Sequence, residues 1–396
     1  MNVFDIDPNT QYWVVRAGAK AISYNQFLSS GCVALGHIDN VDFESEGVIT
    51  KDDLEFLEKK INALNSKKEL PEDTPQMSAR LGQIRHFIND FNVGDTVFTL
   101  SKSEIAIGTI ISDAFIDSTP LFSLNGKGEK VESKQALILR RKVKWEKRKL
   151  RITLPSPISK SLGAQKTVFS LEVHQELLKH WLYGIYIEGN ELHFTTEINQ
   201  TSDIAQFHLS EFQRIIQKLE LFSLIEDLDE RTLDPDVIDE MYYRYGGQNI
   251  FTLSNKSIFT SPGHSWGKIF GERATLILFA ALMAGCMGES VNPLDSSDKE
   301  ILRNKQLELT EAISYINSTT TLESHKSHLE AAISKPNKDR FTLDKAEVSN
   351  PISRAKVSPI VDNDSALGNE NSVSSTEIDD RYEDFPEISQ NGDTGV

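Results

Sequence analysis

The chain contains very little cysteine. Its 396 residues include only Cys32 and Cys286, and neither has a second cysteine at the spacing of a zinc-binding or redox CxxC pair. This excludes a disulfide framework and a cysteine-based zinc site, and it favours a reducing compartment. The opening residues lack the basic and apolar segments of a secretory signal and the glycine of a lipidation site. We therefore expect a cytoplasmic protein.

Recognisable catalytic patterns are also missing. There is no phosphate-binding loop, no GxSxG sequence and no HExxH sequence. The acidic-x-lysine pattern of metal-dependent nucleases has one match, Asp117 with Glu132 and Lys134, which we attribute to chance. His174 and His180 do not share a helical face, and we expect both on the surface. We predict no catalytic residue, no metal site and no cofactor. Whether the protein is an enzyme stays open, because folding can bring distant carboxylates and a lysine together.

Long apolar runs are absent apart from residues 274–288, which read ATLILFAALMAGCMG. A membrane-spanning helix needs about 20 apolar residues, so this run predicts a buried helix. One alternative stays open, in which residues 269–288 form an oligomerising or membrane-associated segment of an effector that lies peripheral to the inner membrane. The small residues in the run and the nearby Trp266 and Lys268 are compatible with it.

Charge is distributed unevenly along the chain, whose formal net charge is −17. The stretch 130–151 holds ten Lys and Arg against two acidic residues, whereas residues 341–396 hold twelve Asp and Glu against four Lys and Arg. A basic stretch inside an acidic chain suits local contact with nucleic acid. The composition after about residue 335 predicts a disordered acidic tail at 336–396.

The patterns along the chain predict an α+β protein with two folded parts before the tail. In residues 1–171 we expect short strands, two helices and a β-meander that form a nucleic-acid reader domain. Residues 172–335 predict a small α+β module of unknown function that ends in helices. The expected elements are strands or strand pairs at 11–15, 31–36, 93–111, 136–145 and 183–198, and helices at 24–29, 51–64, 76–91, 172–181, 210–225, 298–316 and 322–334.

Five segments in the first part resemble the EVE-like N-terminal domain of Mrr-type and related bacterial restriction proteins. They are YWVVRAG at 12–18, CVALG at 32–36, GQIRHF at 82–87 with VGDTV at 93–97, IGTI at 107–110, and RKVKW at 141–145 followed by 158–171. The resemblance covers roughly residues 10–171. It implies a PUA/EVE-like β-barrel with flanking helices that holds an exposed base, often a modified cytosine, in an aromatic-lined pocket. His37 and Arg85 depart from the family, which has Trp and an aromatic residue at those positions.

Two sets of candidate site residues follow. An unstacked base stacks on aromatic faces, and polar groups form hydrogen bonds with its edge. On this basis the base-pocket candidates are Trp13, Arg16, Gly18, His37, Arg85, Phe87 and Phe98. Cationic side chains bind phosphates. The phosphate-binding candidates, with one aromatic residue among them, are Arg140, Arg141, Lys142, Lys144, Trp145 and Arg148. Strand alternation would place Arg140, Lys142 and Lys144 on one face and Arg141, Val143 and Trp145 on the other. For both sets the alternative is a structural role, in the barrel core or on a solvated strand.

The function that the sequence predicts is sensing of modified bases in nucleic acid, with DNA favoured over RNA, within a restriction or anti-phage defence protein. The second part would then contact a protein partner or a second copy of the chain. Another alternative is a non-catalytic protein-interaction module whose reader has degenerated.

Overall fold

The structure is a computed structural model. It describes residues 1–125, 127–133, 135–164, 166–201, 203–225, 234–248, 250–258, 263–293, 295–333 and 353–358, and the side chains of 257 and 258 lie outside the description. The fold is mixed α+β, as the sequence predicts, and it contains two main sheets.

The first half of the chain forms twelve strands and four α-helices among the described residues. The strands are β1 (Asn2–Asp5), β2 (Tyr12–Val15), β3 (Cys32–Leu35), β4 (Phe43–Ser45), β5 (Gly47–Val48), β6 (Thr96–Leu100), β7 (Glu104–Ile110), β8 (Phe115–Ile116), β9 (Phe122–Leu124), β10 (Lys130–Glu132), β11 (Leu139–Leu150) and β12 (Val168–Ser170). The helices are α1 (Tyr24–Ser30), α2 (Leu54–Ser66), α3 (Thr74–Arg85), which continues as a π-helical turn at His86–Asp90, and α4 (Ser156–Ser161).

The first sheet is a curled half-barrel of eight strands in the order β12-β2-β6-β7-β11-β8-β5, with β3 also paired to β11. Strand β11 is long enough to pair with β3 and β8 through its first half and with β7 through its second. Residues alternate across β2, so that Trp13 and Val15 enter the concave core with α2 and α3, and Tyr12 and Val14 enter a second core on the convex face. Both faces of this sheet are therefore buried.

The second half contributes a second sheet and most of the helices. Its strands are β13 (Ile185–Glu188), β14 (Glu191–Ile198), β15 (Ser254–Ile258), β16 (Gly263–Phe270), β17 (Asn292–Pro293) and β18 (Ala331–Ile333). The helices are α5 (Gln175–Leu182), α6 (Gln206–Leu224), α7 (Pro235–Gly247), α8 (Arg273–Cys286), α9 (Ser296–Asn304), α10 (Gln306–Thr319) and α11 (Leu322–Leu329). The strand order is β15-β16-β14-β13-β1-β17, with β18 also paired to β14.

The apolar run at 274–288 forms α8, which confirms the predicted buried helix. Its side chains, among them Ile277, Phe279 and Met283, lie in the core of the second half beside α6 and α10. The stretch therefore keeps little apolar surface for a lipid contact. Of the helices in the part of the chain that is described, none has the length and apolarity to cross a membrane.

The two halves share strands and core. Strand β1 pairs in parallel with β13 and β17, so the first residues of the chain belong to the second sheet and not to the predicted 1–171 domain. The convex face of the first sheet is covered by α5 and by residues 183–186, in a core that includes Tyr12, Phe98, Leu178 and Tyr186. A fragment that ends at residue 171 would lose the partner strands of β1 and expose this apolar face.

The predicted disordered tail at 336–396 lies outside the described residues, except for 353–358. These six residues include a short strand, β19 (Lys356–Val357), which pairs antiparallel with β4 of the first half. No disorder is seen in this piece of the tail.

Candidate functional site

The three aromatic residues expected to line a base pocket are part of the core instead. Trp13 is 4% exposed, stacks on Phe91 at a ring distance of 4.4 Å, and donates its indole N–H to the Asp95 carboxylate at 3.0 Å. Phe87 is also in the concave core, and Phe98 faces the opposite side of the sheet. The prediction that these rings form a base pocket is therefore wrong, because strand alternation and helix packing place them inside.

The arginine candidates Arg16 and Arg85 are engaged in structural contacts. Arg16 donates to the backbone carbonyls of residues 162, 164 and 166, where α4 ends, which suits a cation at a helix C-terminus. Arg85 is largely exposed, and both of its described bonds go to the Glu58 carboxylate on α2. Both guanidinium groups are therefore engaged in contacts within the fold, which corrects the predicted roles.

Two arginines of the basic strand are buried rather than presented to phosphates. Arg141 is 1% exposed and donates to three backbone carbonyls, those of Phe87, Ile88 and Ser112, at 2.8 to 3.0 Å. Arg140 is 4% exposed, donates to carbonyls that include that of Leu137, and pairs with Asp117 at 3.1 Å. The expectation that both hold phosphate is wrong, because loops and α3 cover both sides of the strand here.

The remainder of the basic strand is mixed in exposure. Lys142 and Lys144 are half-buried, and Trp145 donates its indole N–H to the Phe27 carbonyl at 2.9 Å while packing on the concave core. A bulge between residues 145 and 147 then reverses the alternation, which leaves Arg148 exposed. Of the six predicted phosphate ligands, Arg148 alone is freely exposed.

One edge of the half-barrel, which we call the rim, brings the remaining candidates together. The rim consists of the loop 16–23 after β2, the turn 36–40 after β3, and residues 135–138 before β11. Three of the four described non-glycine residues with positive φ lie in it: Lys20 at 52°, Ala21 at 60° and Leu137 at 47°. Each such residue costs about 1 kcal/mol or more, and strain of this kind collects at ligand sites.

Side-chain bonds hold the three parts of the rim against each other. The Ser23 hydroxyl donates to the Gln135 amide oxygen at 3.2 Å, and Asp39 accepts from the amides of residues 137 and 138 at 3.0 and 3.1 Å. Gly18 has φ 75°, and a Cβ there would lie 3.2 Å from the Ile22 side chain. These bonds hold the three parts of the rim in place. Two of the candidates selected from the sequence, Gly18 and His37, lie in it.

His37 is the candidate whose placement keeps a binding role open. Its Nε2 atom is buried and has no hydrogen-bond partner among the described residues, while its carbonyl accepts from the Arg80 guanidinium. Burial lowers the pKa of His37, and the nearby Gln83 side chain opposes this shift only in part, so the neutral ring is favoured at pH 7. A neutral imidazole with one unpaired nitrogen can accept from or donate to a ligand.

Sequence reasoning missed a second polar cluster, between α5 and the second sheet. His180, expected on the surface, is 4% exposed, stacks on Trp266 at 5.2 Å, and shares a 2.8 Å hydrogen bond with the Thr195 hydroxyl. His193 and Tyr186 stack beside it at 4.6 Å. Within the described ranges, no group of three or more His, Cys, Asp or Glu side chains is placed to hold a metal ion.

Comparisons of the chain with protein families, curated proteins and solved structures gave no match.

Proposed function

We propose that the first half of the chain binds nucleic acid at the rim, where it takes one exposed base, with modified cytosine as the favoured class and DNA as the favoured polymer. The observation that carries this is the coincidence, in one small surface region, of three strained residues with the buried, unpaired Nε2 atom of half-buried His37. The fold holds this arrangement against its own conformational preference, which is common at ligand sites.

The side chains of the rim suit the edge of a base. His37 Nε2 can donate or accept one hydrogen bond, and the exposed Gln135 amide offers both kinds of group. Exposed Lys20 can reach a neighbouring phosphate. Gly18 allows the loop to adopt a φ of 75° next to the Gln135 amide, and the resemblance to EVE-like domains points to the same end of the sheet.

Recognition at the rim would rest on polar side chains rather than on an aromatic-lined pocket. His37 stands where the resembling family has Trp, so hydrogen bonding would provide more of the recognition and stacking less. In a restriction or anti-phage defence protein such a site would act as the sensor, and the second half would transmit the signal.

We expect rim variants to lose nucleic-acid binding while the fold persists. Binding of the full chain to short duplexes with one central modified or unmodified cytosine is measured by fluorescence anisotropy over a salt series. His37→Ala and Gln135→Ala should each weaken binding to the modified duplex about tenfold, the loss of one hydrogen bond to the base. Lys20→Glu should weaken binding to both duplexes and reduce the salt slope by at least about one phosphate contact.

The matched control is Lys299→Glu, the same charge reversal at an exposed lysine of α9 in the second half. It should bind like the native chain. Rim variants that retain native melting temperatures and native affinity would refute the assignment of the site.

A further inference from the structure

The described piece of the tail, residues 353–358, occupies a groove at the edge of the first half that we call the acceptor groove. The groove is formed by β4, β5 and the start of α2. The amide of Val48 donates to the Ser353 carbonyl at 2.8 Å, and the Ala355 amide donates back to the Val48 carbonyl at 2.7 Å. The Ser358 amide donates to the Asp42 carbonyl at 3.1 Å. The segment therefore adds a strand to a sheet edge through main-chain bonds, as in β-augmentation.

The groove is shaped for a peptide backbone at Gly47. This glycine has φ 135°, and a Cβ at its position would lie 2.0 Å from the Ser353 carbonyl oxygen. A side chain here would both strain the backbone and block the docked strand. Gly47 is thus required by the close approach of the segment.

A buried lysine completes the floor of the groove. Lys60 is 6% exposed, and its ammonium group donates to the Ser358 carbonyl at 2.7 Å and to the Asp42 carbonyl at 3.2 Å. A buried cation needs acceptors, and one of these two comes from the docked segment. The groove therefore uses a main-chain carbonyl of its occupant.

The side chains of the segment meet complementary groups. Ala355 is 5% exposed and joins the concave core, and Val357 packs against the same core. Arg354 pairs with Asp53 at 3.1 Å, and Lys356 pairs with Glu44 at 2.6 Å. The groove thus contacts a basic residue, a small one, a second basic one and an aliphatic one in succession.

We propose that the acceptor groove is a recognition site for extended peptides of the pattern basic-small-basic-aliphatic, and that residues 353–358 are its resident, exchangeable occupant. The segment buries one small side chain deeply, and its ion pairs lie at the surface, where such pairs contribute little. Contacts of this kind give weak binding between separate molecules. Covalent attachment through residues 334–352 supplies an effective concentration on the order of millimolar, which keeps the site occupied.

Exchange is expected because a partner peptide with the same pattern makes the same main-chain bonds. A peptide at high local concentration, or one with a better aliphatic residue, would displace the resident strand. The exposed sheet edge would then carry the partner, and the tail would be released. Peptide binding at the acceptor groove does not depend on nucleic-acid binding at the rim.

The test uses the full chain and a fluorescent peptide with the sequence of residues 351–359, PISRAKVSP. In the native chain the resident strand competes, so binding should be weak. Ala355→Glu puts a charged side chain at a core position, which should release the resident strand and strengthen binding of the added peptide by about tenfold or more. The control, Ala366→Glu, carries the same substitution eleven residues further along and should bind like the native chain. Gly47→Ala in the released chain should abolish binding, as should an added peptide with Glu in place of its alanine.

A second measurement needs no substitution. If residues 353–358 leave the groove without unfolding of the rest, the Ala355 amide of the native chain should exchange hydrogen at least about a hundredfold faster than the amides of β6. Exchange in β6 requires the first sheet itself to open. Addition of unlabelled PISRAKVSP should further accelerate it. Equal exchange at Ala355 and in β6, or a folded Ala355→Glu chain that does not bind the peptide, would overturn the proposal.

Discussion

Arg141→Met is expected to destabilise the first half of the chain by about 4 kcal/mol, the range found when a buried cation network is broken. The substitution removes the donors of three buried backbone carbonyls at Phe87, Ile88 and Ser112. Each acceptor left unpaired in the core costs about 1–3 kcal/mol, and the methionine side chain recovers part of this through apolar packing. Burial lowers the pKa of the Arg141 guanidinium to about 10, which still leaves it charged at pH 7.

The measurement is urea unfolding followed by tryptophan fluorescence, since Trp13 and Trp145 report on this half. The control is Arg148→Met, the same substitution at an exposed position of β11, which should change stability by about 0.5 kcal/mol or less. If the two variants unfolded at the same urea concentration, the buried hydrogen bonds of Arg141 would not stabilise the first half of the chain.

The second large effect is a loss of stability on acidification that depends on His180. Burial, with smaller effects of His193, Lys256 and Lys179, lowers its pKa to about 3. The unfolded chain binds a proton near pH 6.5 and the folded chain does not, so stability is complete above that pH and falls as the pH decreases towards 3. At pH 4 the loss from this group is about 3 kcal/mol.

The His180→Gln variant isolates this contribution, because glutamine does not titrate and can still bond to Thr195. Urea unfolding at pH 7, 6, 5 and 4 should show that the difference in stability between native and variant chains shifts by about 3 kcal/mol in favour of the variant. His264→Gln, at an exposed histidine on β16, is the control and should follow the native curve. If acidification from pH 7 to pH 4 destabilised the native chain no more than the His180→Gln chain, the His180 imidazole would not be buried in its neutral form.

Local pattern was sufficient for many elements of the fold. Glycine-bounded β-branched runs marked β2 and β3, the Gly94-Asp95 turn marked the start of the meander, and Gly189-Asn190 marked the hairpin of β13 and β14. The predicted helix at 298–316 is interrupted, because Lys305 separates α9 from α10. Strand β1 was missed because four residues carry little pattern, and its partners lie far along the chain.

The site was harder to predict than the fold. A sequence shows that Trp13 and Phe98 alternate with neighbours on their strands, but not that α5 covers the second face of the sheet and buries both faces. The bulge in β11 changes which basic side chains reach solvent, and no residue in the strand predicts its position. The strained residues Lys20, Ala21 and Leu137 lie in two segments that meet only in the folded chain.

The tail illustrates the same limit. Residues 353–358 have a polar composition that predicts disorder, because they cannot bury enough apolar surface alone. Their order depends on Gly47, Lys60 and Asp53, about 300 residues earlier in the chain. Composition describes a segment in isolation, and the contacts of a docked strand are supplied by its acceptor.

Recognition of a modified base at the rim should be visible in the ratio of two affinities of the native full chain. One is for a duplex with a single central modified cytosine, and the other is for the same duplex unmodified, each measured from low to high salt. We expect a preference of about tenfold or more that persists as salt weakens both affinities, because contacts to the base edge do not release counterions. Equal affinities at every salt concentration and for every cytosine modification, or no binding at all, would contradict it.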